Sequence, residues 1–220
     1  MKYLSICCFL ILCKVCQAQT ISFLPKFQKE KLQLEKAFYS ANDTLSISHF
    51  KFYITDLKYY QNDSLIYTSP EQAYLIDVSN ANSLHISENQ LLDFNSVHFK
   101  IGIDSLTNVS GVFNGDLDPT NGMYWTWQSG YINFKLEGQA SQSPARKQKF
   151  YWHIGGYIKP FDAQRVVKLS FKASQKLAVN IQIEKLFEVI DVSKIYQVMS
   201  PNAQAMAIAD QLKNLFKVVE

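Results

Sequence analysis

From residue 97 to residue 103 every second side chain is apolar: Val97, Phe99, Ile101 and Ile103, with His98, Lys100 and Gly102 between them. That period gathers apolar groups on one side only if the backbone is extended, because successive side chains of a strand point to opposite faces. The alternation recurs along most of the chain. Residues 44–57 set Phe50, Phe52 and Ile54 against His49, Lys51 and Tyr53. Residues 21–27, 73–78, 125–136, 150–154, 166–171 and 177–183 are further strand candidates. Turn signals fall roughly every 8 to 15 residues, the spacing of a sandwich or barrel. The expected fold is therefore mainly β, a single β-sandwich-like domain, since no linker, low-complexity tract or repeat divides the chain.

The C-terminal end has a different period. Ser200-Pro201 offers a hydroxyl cap followed by proline at a first helical position. Ala205, Ile208, Ala209, Leu212, Leu215, Phe216 and Val219 then recur at three- and four-residue spacing. This predicts an amphipathic helix over residues 201–217, packed on the β core. Residues 190–199 are a weaker candidate for a second short helix.

The first 18 residues read as a secretory signal peptide. Lys2 gives a basic start, residues 3–13 are nearly all apolar, and Cys16-Gln17-Ala18 offers a cleavage site after Ala18. The apolar run has about half the residues needed to span a bilayer. No membrane span is expected, and the mature domain, residues 19–220, is expected to be periplasmic or secreted. Cys7, Cys8, Cys13 and Cys16 all lie within the signal, so the mature chain has no cysteine. That excludes thiol nucleophiles, iron–sulfur clusters and thiolate metal sites. A domain of this size buries enough surface to fold without disulfides.

Loss of Lys2 and Lys14 leaves 20 basic residues against 19 acidic ones. With no basic stripe, nucleic acid is not an expected partner. Nor is enzymatic activity. The sequence holds no Gly-x-Ser-x-Gly elbow, phosphate loop or metalloprotease histidine pair, and no carboxylate pair is singled out as an acid/base couple.

Two segments stand apart. The first runs Asp116-Leu-Asp-Pro-Thr-Asn-Gly-Met-Tyr-Trp-Thr-Trp-Gln-Ser-Gly-Tyr131. Asp116 and Asp118 have the spacing that opens a calcium loop. Asn121 stands where the loop glycine belongs and Trp127 where the closing acid belongs, so a polar turn is the better reading. Trp125 and Trp127 share a side if the strand is regular. Continued to Leu136, that strand places both with the polar set Asn133, Lys135 and Glu137; a bulge near Ser129-Gly130 would invert this. The second segment is Phe150-Tyr-Trp-His-Ile-Gly-Gly156. Phe150, Trp152 and Ile154 form a core face, and Tyr151 and His153 point the other way. His153 stands just before paired glycines, where backbone or ligand can approach closely, and is a candidate metal ligand. His49, His85 and His98 carry weaker signals.

These segments resemble the MbnP-like family of bacterial exported proteins. The resemblance rests on Phe50-Lys-Phe-Tyr-Ile54, Ile101-Gly-Ile-Asp104, Leu117-Asp-Pro119 through Tyr131, Lys135-Leu-Glu-Gly138 and His153-Ile-Gly-Gly156. It implies copper binding, at a site that combines histidine with a tryptophan oxidised to kynurenine by a di-haem partner enzyme related to MauG. The positions the resemblance matches are Trp125 or Trp127 with His153, and His49 as a further candidate. An opened indole presents an aromatic amine beside a ketone, and nitrogen ligands suit copper, which heads the divalent affinity order. One spacing works against this. In a plain hairpin His153 lies opposite roughly Asn133, and Trp127 is then on the order of 20 Å farther along the strand. Only a bulge, a different pairing or a folded-back tryptophan segment brings them together. A second class of function fits the same residues: a binding module in which Trp125, Trp127, Tyr131 and Tyr151 form an aromatic platform for a sugar or peptide.

Overall fold

The computed structural model describes residues 19–40, 43–89, 93–126, 129–174 and 176–219. Residues 1–18, where a signal peptide is expected, lie outside them. In chain order the strands are β1 (Gln19–Phe27), β2 (Glu30–Lys31), β3 (Ala37–Ser40), β4 (Asp43–Gln61), β5 (Ser64–Thr68), β6 (Tyr74–Asp77), β7 (His85–Glu88), β8 (Phe94–Ile101), β9 (Tyr124–Thr126), β10 (Gly130–Ala140), β11 (Lys149–Gly155), β12 (Arg165–Ser174), β13 (Lys176–Gln182), β14 (Gln197–Val198) and β15 (Phe216–Val218). The helices are α1 (Ser105–Val109), α2 (Glu184–Val189) and α3 (Ala203–Leu212). The fold is mainly β with a C-terminal helix, as the alternation predicts.

Two sheets carry the core. The larger runs β12-β8-β4-β10-β11-β14, with β3, β5 and β6 also on the long β4 and β9 on β10. The smaller runs β15-β13-β1-β2, with β7 on β1. Within it β1 and β13 are parallel, Phe23 opposite Val179. Between the sheets lies an aromatic core. Phe23 of β1 meets Phe52 of β4 and Phe99 of β8 edge-on, at 6.3 and 6.2 Å between ring centres. Phe50, Phe52 and Phe134 pack side by side on neighbouring strands. These are the even-numbered apolar positions, and all of them are buried.

The C-terminal helix is shorter than its apolar spacing suggests. Asn202, not Ser200, caps it, accepting from Ala205 N at 2.8 Å. Ala205, Ile208, Ala209 and Leu212 are buried. After Leu212 a single tight turn, Lys213–Leu215, leads into β15. Phe216 then meets Phe23, Phe52 and Phe99 edge-on. Burying that ring between the sheets outweighs another helical turn, since a phenylalanine gains on the order of 2–3 kcal/mol from full burial. The second helix lies earlier than residues 190–199, as α2. No helix among the described residues is long and apolar enough to cross a membrane.

Candidate metal site

Strands β4, β10 and β11 lie side by side, and their odd-numbered residues from His49 to Tyr53, from Lys135 to Glu137 and from Tyr151 to His153 share the face turned away from the aromatic core. The register aligns His49 with Glu137 and Tyr151, and Lys51 with Lys135 and His153. A strand hairpin thus brings His153 opposite Lys135. The two-residue offset from the simplest expectation keeps every side chain on its expected face, because strand parity is two.

Glu137 is the centre of this face. Its Oε1 lies 2.6 Å from His153 Nε2 and its Oε2 3.0 Å from His49 Nδ1. The two imidazoles approach from opposite sides, one from each neighbouring strand. Lys135 Nζ stands 3.5 Å from Oε1. The His153 hydrogen bond, helped by the charges of Lys135 and His49, outweighs burial and holds the Glu137 carboxyl down to about 2. Among the described residues, no group of three or more His, Cys, Asp or Glu side chains forms a ready metal cage. Here both carboxylate oxygens are already engaged, so the three residues form a bonded line rather than a cage.

His153 points away from the core as its parity predicts, yet it is not solvated: its side chain is 8% exposed. The segment before β10 folds over this face. Lys51 and Lys135 rise from the sheet to hold it, donating to Asn121 O at 3.2 Å and Gly122 O at 3.0 Å. Asp118 caps the turn, accepting from Thr120 N at 2.8 Å, and Gly122 closes it in the left-handed region at φ +71°. This is the polar turn expected from the sequence. Tyr53 and Tyr131 donate from below to Asp116 O and Leu117 O. With Ile103, Leu117, Met123 and Ile132 they make a second small core on the outer side of the sheet.

The tryptophan segment is not continuous with β10. β9 pairs with β10 antiparallel, Thr126 opposite Gly130, and Ile132 N donates to Met123 O at 2.9 Å. Neither a regular strand over residues 125–136 nor a simple bulge describes it. The chain doubles back, which removes the spacing objection. Two neighbours enforce this. Asn108, on α1, accepts from Tyr131 N at 2.8 Å and donates to Ile103 O and Asp104 O. Asp104 caps α1 through Thr107 N. Gly102 at φ +105° lets Asn133 press against the backbone, where its Oδ1 accepts from Ile103 N. The Ile101-Gly-Ile-Asp104 segment is therefore the brace of the tryptophan hairpin.

Trp125 consequently lies over β11. A Cβ added at Gly155 would sit 2.8 Å from Trp125 Cζ3, so only glycine admits the ring. Gly155 is two residues beyond His153 on the same face, about 7 Å along the strand. Two buried nitrogens here, His153 Nδ1 and Trp125 Nε1, have no hydrogen-bond partner. The structure thus brings Trp125 and His153 to one patch, with His49 joined through Glu137 on the far side. Trp127 lies outside the described residues. The aromatic platform loses a member, because Tyr131 is fully buried. His85 is an exposed strand residue on β7, and the His98 ring packs at a tilt on Tyr60, 4.2 Å between ring centres. Glu137 is the residue that motif reading passes over; its parity with Lys135 and His49 is the signal that could have found it.

A family model described as MbnP matches residues 17–202 of this chain, and the chain belongs to that family. Among solved structures, MbnP from Methylosinus trichosporium superposes with a TM-score of 0.63 at 13% identity, over 92% of this chain and 98% of the other. At that identity the likeness establishes a shared fold. No curated protein sequence matches.

Proposed function

We propose that this MbnP-family chain is an exported, non-enzymatic copper-binding protein, in which His153 supplies a nitrogen ligand through Nδ1 beside an oxidised Trp125. The observation that carries the reading is the state of His153. One ring nitrogen is bonded to a carboxylate and the other is buried with no partner, two residues along β11 from the glycine that Trp125 covers, and the indole nitrogen is itself unpartnered. An orphaned buried nitrogen costs about 1–3 kcal/mol, so its retention fits a ligand that takes it up. Histidine–carboxylate pairing of this kind is the usual support of a metal-bound imidazole. The absence of cysteine from residues 19–220 leaves nitrogen and oxygen donors, and copper accepts them well.

Conversion of Trp125 to kynurenine adds two oxygen atoms across the indole C2–C3 bond and breaks it. Water then removes the one-carbon fragment as formate, leaving an arylamine beside a ketone. The oxidising equivalents come from peroxide handled by the di-haem partner. The chain's own contribution is placement: Gly155 admits the ring, and the Asn108 brace holds the hairpin over β11.

The test is copper titration of protein matured with its partner, with peptide mass mapping. His153→Ala should weaken the matured site at least tenfold, and the mass change should map to Trp125. Equal affinities would remove His153 from the site. An unchanged tryptophan peptide from a host that encodes the partner would end the oxidised-indole mechanism.

A further inference from the structure

We infer that Glu137 is a positioning residue that fixes the tautomers of two histidines in opposite senses, the proton on Nε2 of His153 and on Nδ1 of His49. The inference rests on His153 being the metal ligand, and it names what keeps that ligand nitrogen bare.

An ionised carboxylate can only accept hydrogen bonds. Its two oxygens meet His153 Nε2 at 2.6 Å and His49 Nδ1 at 3.0 Å. Each contact is a hydrogen bond only if that ring nitrogen carries the proton. A neutral imidazole carries one, so the other nitrogen keeps its lone pair. On His153 this is Nδ1, which is buried and unpartnered on the face where Trp125 covers Gly155. On His49 it is Nε2, at the end of a side chain that is 56% exposed.

One carboxylate therefore divides two histidines by role. His153 is the inner ring with a lone pair presented to the covered patch. His49 is the outer ring, on the opposite strand, and it braces Glu137 rather than reaching the metal. Lys135 Nζ, 3.5 Å from Oε1, favours the ionised form that both bonds need. The sheet register sets this arrangement, since Glu137 is on the middle strand of three.

His49 is the sensitive reporter. Imidazole free in water prefers the proton on Nε2, so an Nδ1-protonated His49 requires a partner that holds it. Nitrogen-15 NMR of the metal-free full chain, labelled at histidine and recorded over pH ~7 to 9, reads both tautomers. Wild type should show Nδ1–H on His49 and Nε2–H on His153. In Glu137→Ala, His49 should revert to Nε2–H. In Glu137→Gln the amide offers one acceptor and one donor, so only one ring should keep its wild-type state. Far-UV circular dichroism checks that both variants remain folded. Titration with copper(I) from a chromogenic chelator should then show Glu137→Ala weakened roughly 10- to 100-fold, as for other lost carboxylate supports, and His49→Ala by less than about threefold. Unchanged tautomers in Glu137→Ala would overturn the proposal. So would a loss in His49→Ala as large as in His153→Ala, which would mean that metal displaces the carboxylate and takes both rings. A wild type that binds no copper but shows the expected tautomer pattern would sink the metal reading and leave the role of Glu137 standing.

Discussion

The two faces of strands β4, β10 and β11 are built from the same alternating sequence and obey different rules. On the inner face Phe50, Phe52, Phe134, Leu136, Phe150, Trp152 and Ile154 meet other apolar groups and are all but fully buried. Contacts there are many and non-directional, and each is replaceable in kind. On the outer face His49, Lys51, Lys135, Glu137 and His153 are polar and, His49 apart, mostly covered, and each contact needs a particular donor and acceptor. Stability is concentrated on the first face and specificity on the second. A covered polar face can keep a nitrogen unsatisfied only because the apolar face supplies the folding free energy.

The largest test of that division is Phe52→Ala. Phe52 is fully buried and touches Phe23, Phe50, Phe134 and Phe216. Truncation should cost about 3–5 kcal/mol in equilibrium denaturation. A loss below about 1 kcal/mol would mean that the core is not where stability resides. The outer face should show itself next, through acid. A carboxyl whose folded value lies below its unfolded one stabilises the protein above the unfolded value, and the gain disappears as pH falls through the folded value. For Glu137 the window runs from 4.5 down to about 2. The metal-free protein should lose up to about 3 kcal/mol across it. Urea midpoints measured over that range should fall, and Glu137→Gln should flatten the slope; an identical slope in the variant would break the comparison.

Gly130→Ala probes the join between the two faces. Gly130 lies at φ +72°, and an added Cβ would stand 2.1 Å from Asn108 Oδ1, the acceptor that holds Tyr131 N. The strain should cost about 2 kcal/mol and should fall on the tryptophan hairpin. Tryptophan fluorescence and near-ultraviolet circular dichroism should change while far-ultraviolet signal from the sheets persists. A change in both signals together would tie the hairpin to the main core.

What the sequence discloses follows the same division. The inner face is legible because one rule, period two, governs it, and Phe50, Phe52, Phe99 and Phe134 all obey. The outer face is harder. Lys51, Lys135 and Glu137 have the look of solvated residues, and nothing local reveals that residues 116–124 fold over them. The reversal between β9 and β10 is hidden because Trp125 and Tyr131 fit one strand pattern as well as two antiparallel strands do. It depends on Asn108 and Gly102, more than twenty residues away in the chain. The helix end is missed because Phe216 satisfies helical spacing, while its partners lie on β1, β4 and β8.

The smallest effect separates the two histidines that share Glu137. His49 has a 56% exposed side chain and His153 an 8% exposed one. Both contact the same carboxylate, so contact geometry alone would rank them as equals. Exposure does not. Water can replace His49 at Oε2 with little loss, and pairs of this kind are worth about 0–1 kcal/mol. His153 has no such substitute, because its removal leaves a covered oxygen without its donor, at about 1–3 kcal/mol. His49→Ala should therefore lower stability by about 0.5 kcal/mol at neutral pH, and His153→Ala by at least twice that. A double-mutant cycle of each with Glu137→Gln isolates the pairwise terms. If the coupling of His49 to Glu137 equals that of His153, then the outer face is dry to its edge, and exposure does not set the worth of a contact on it.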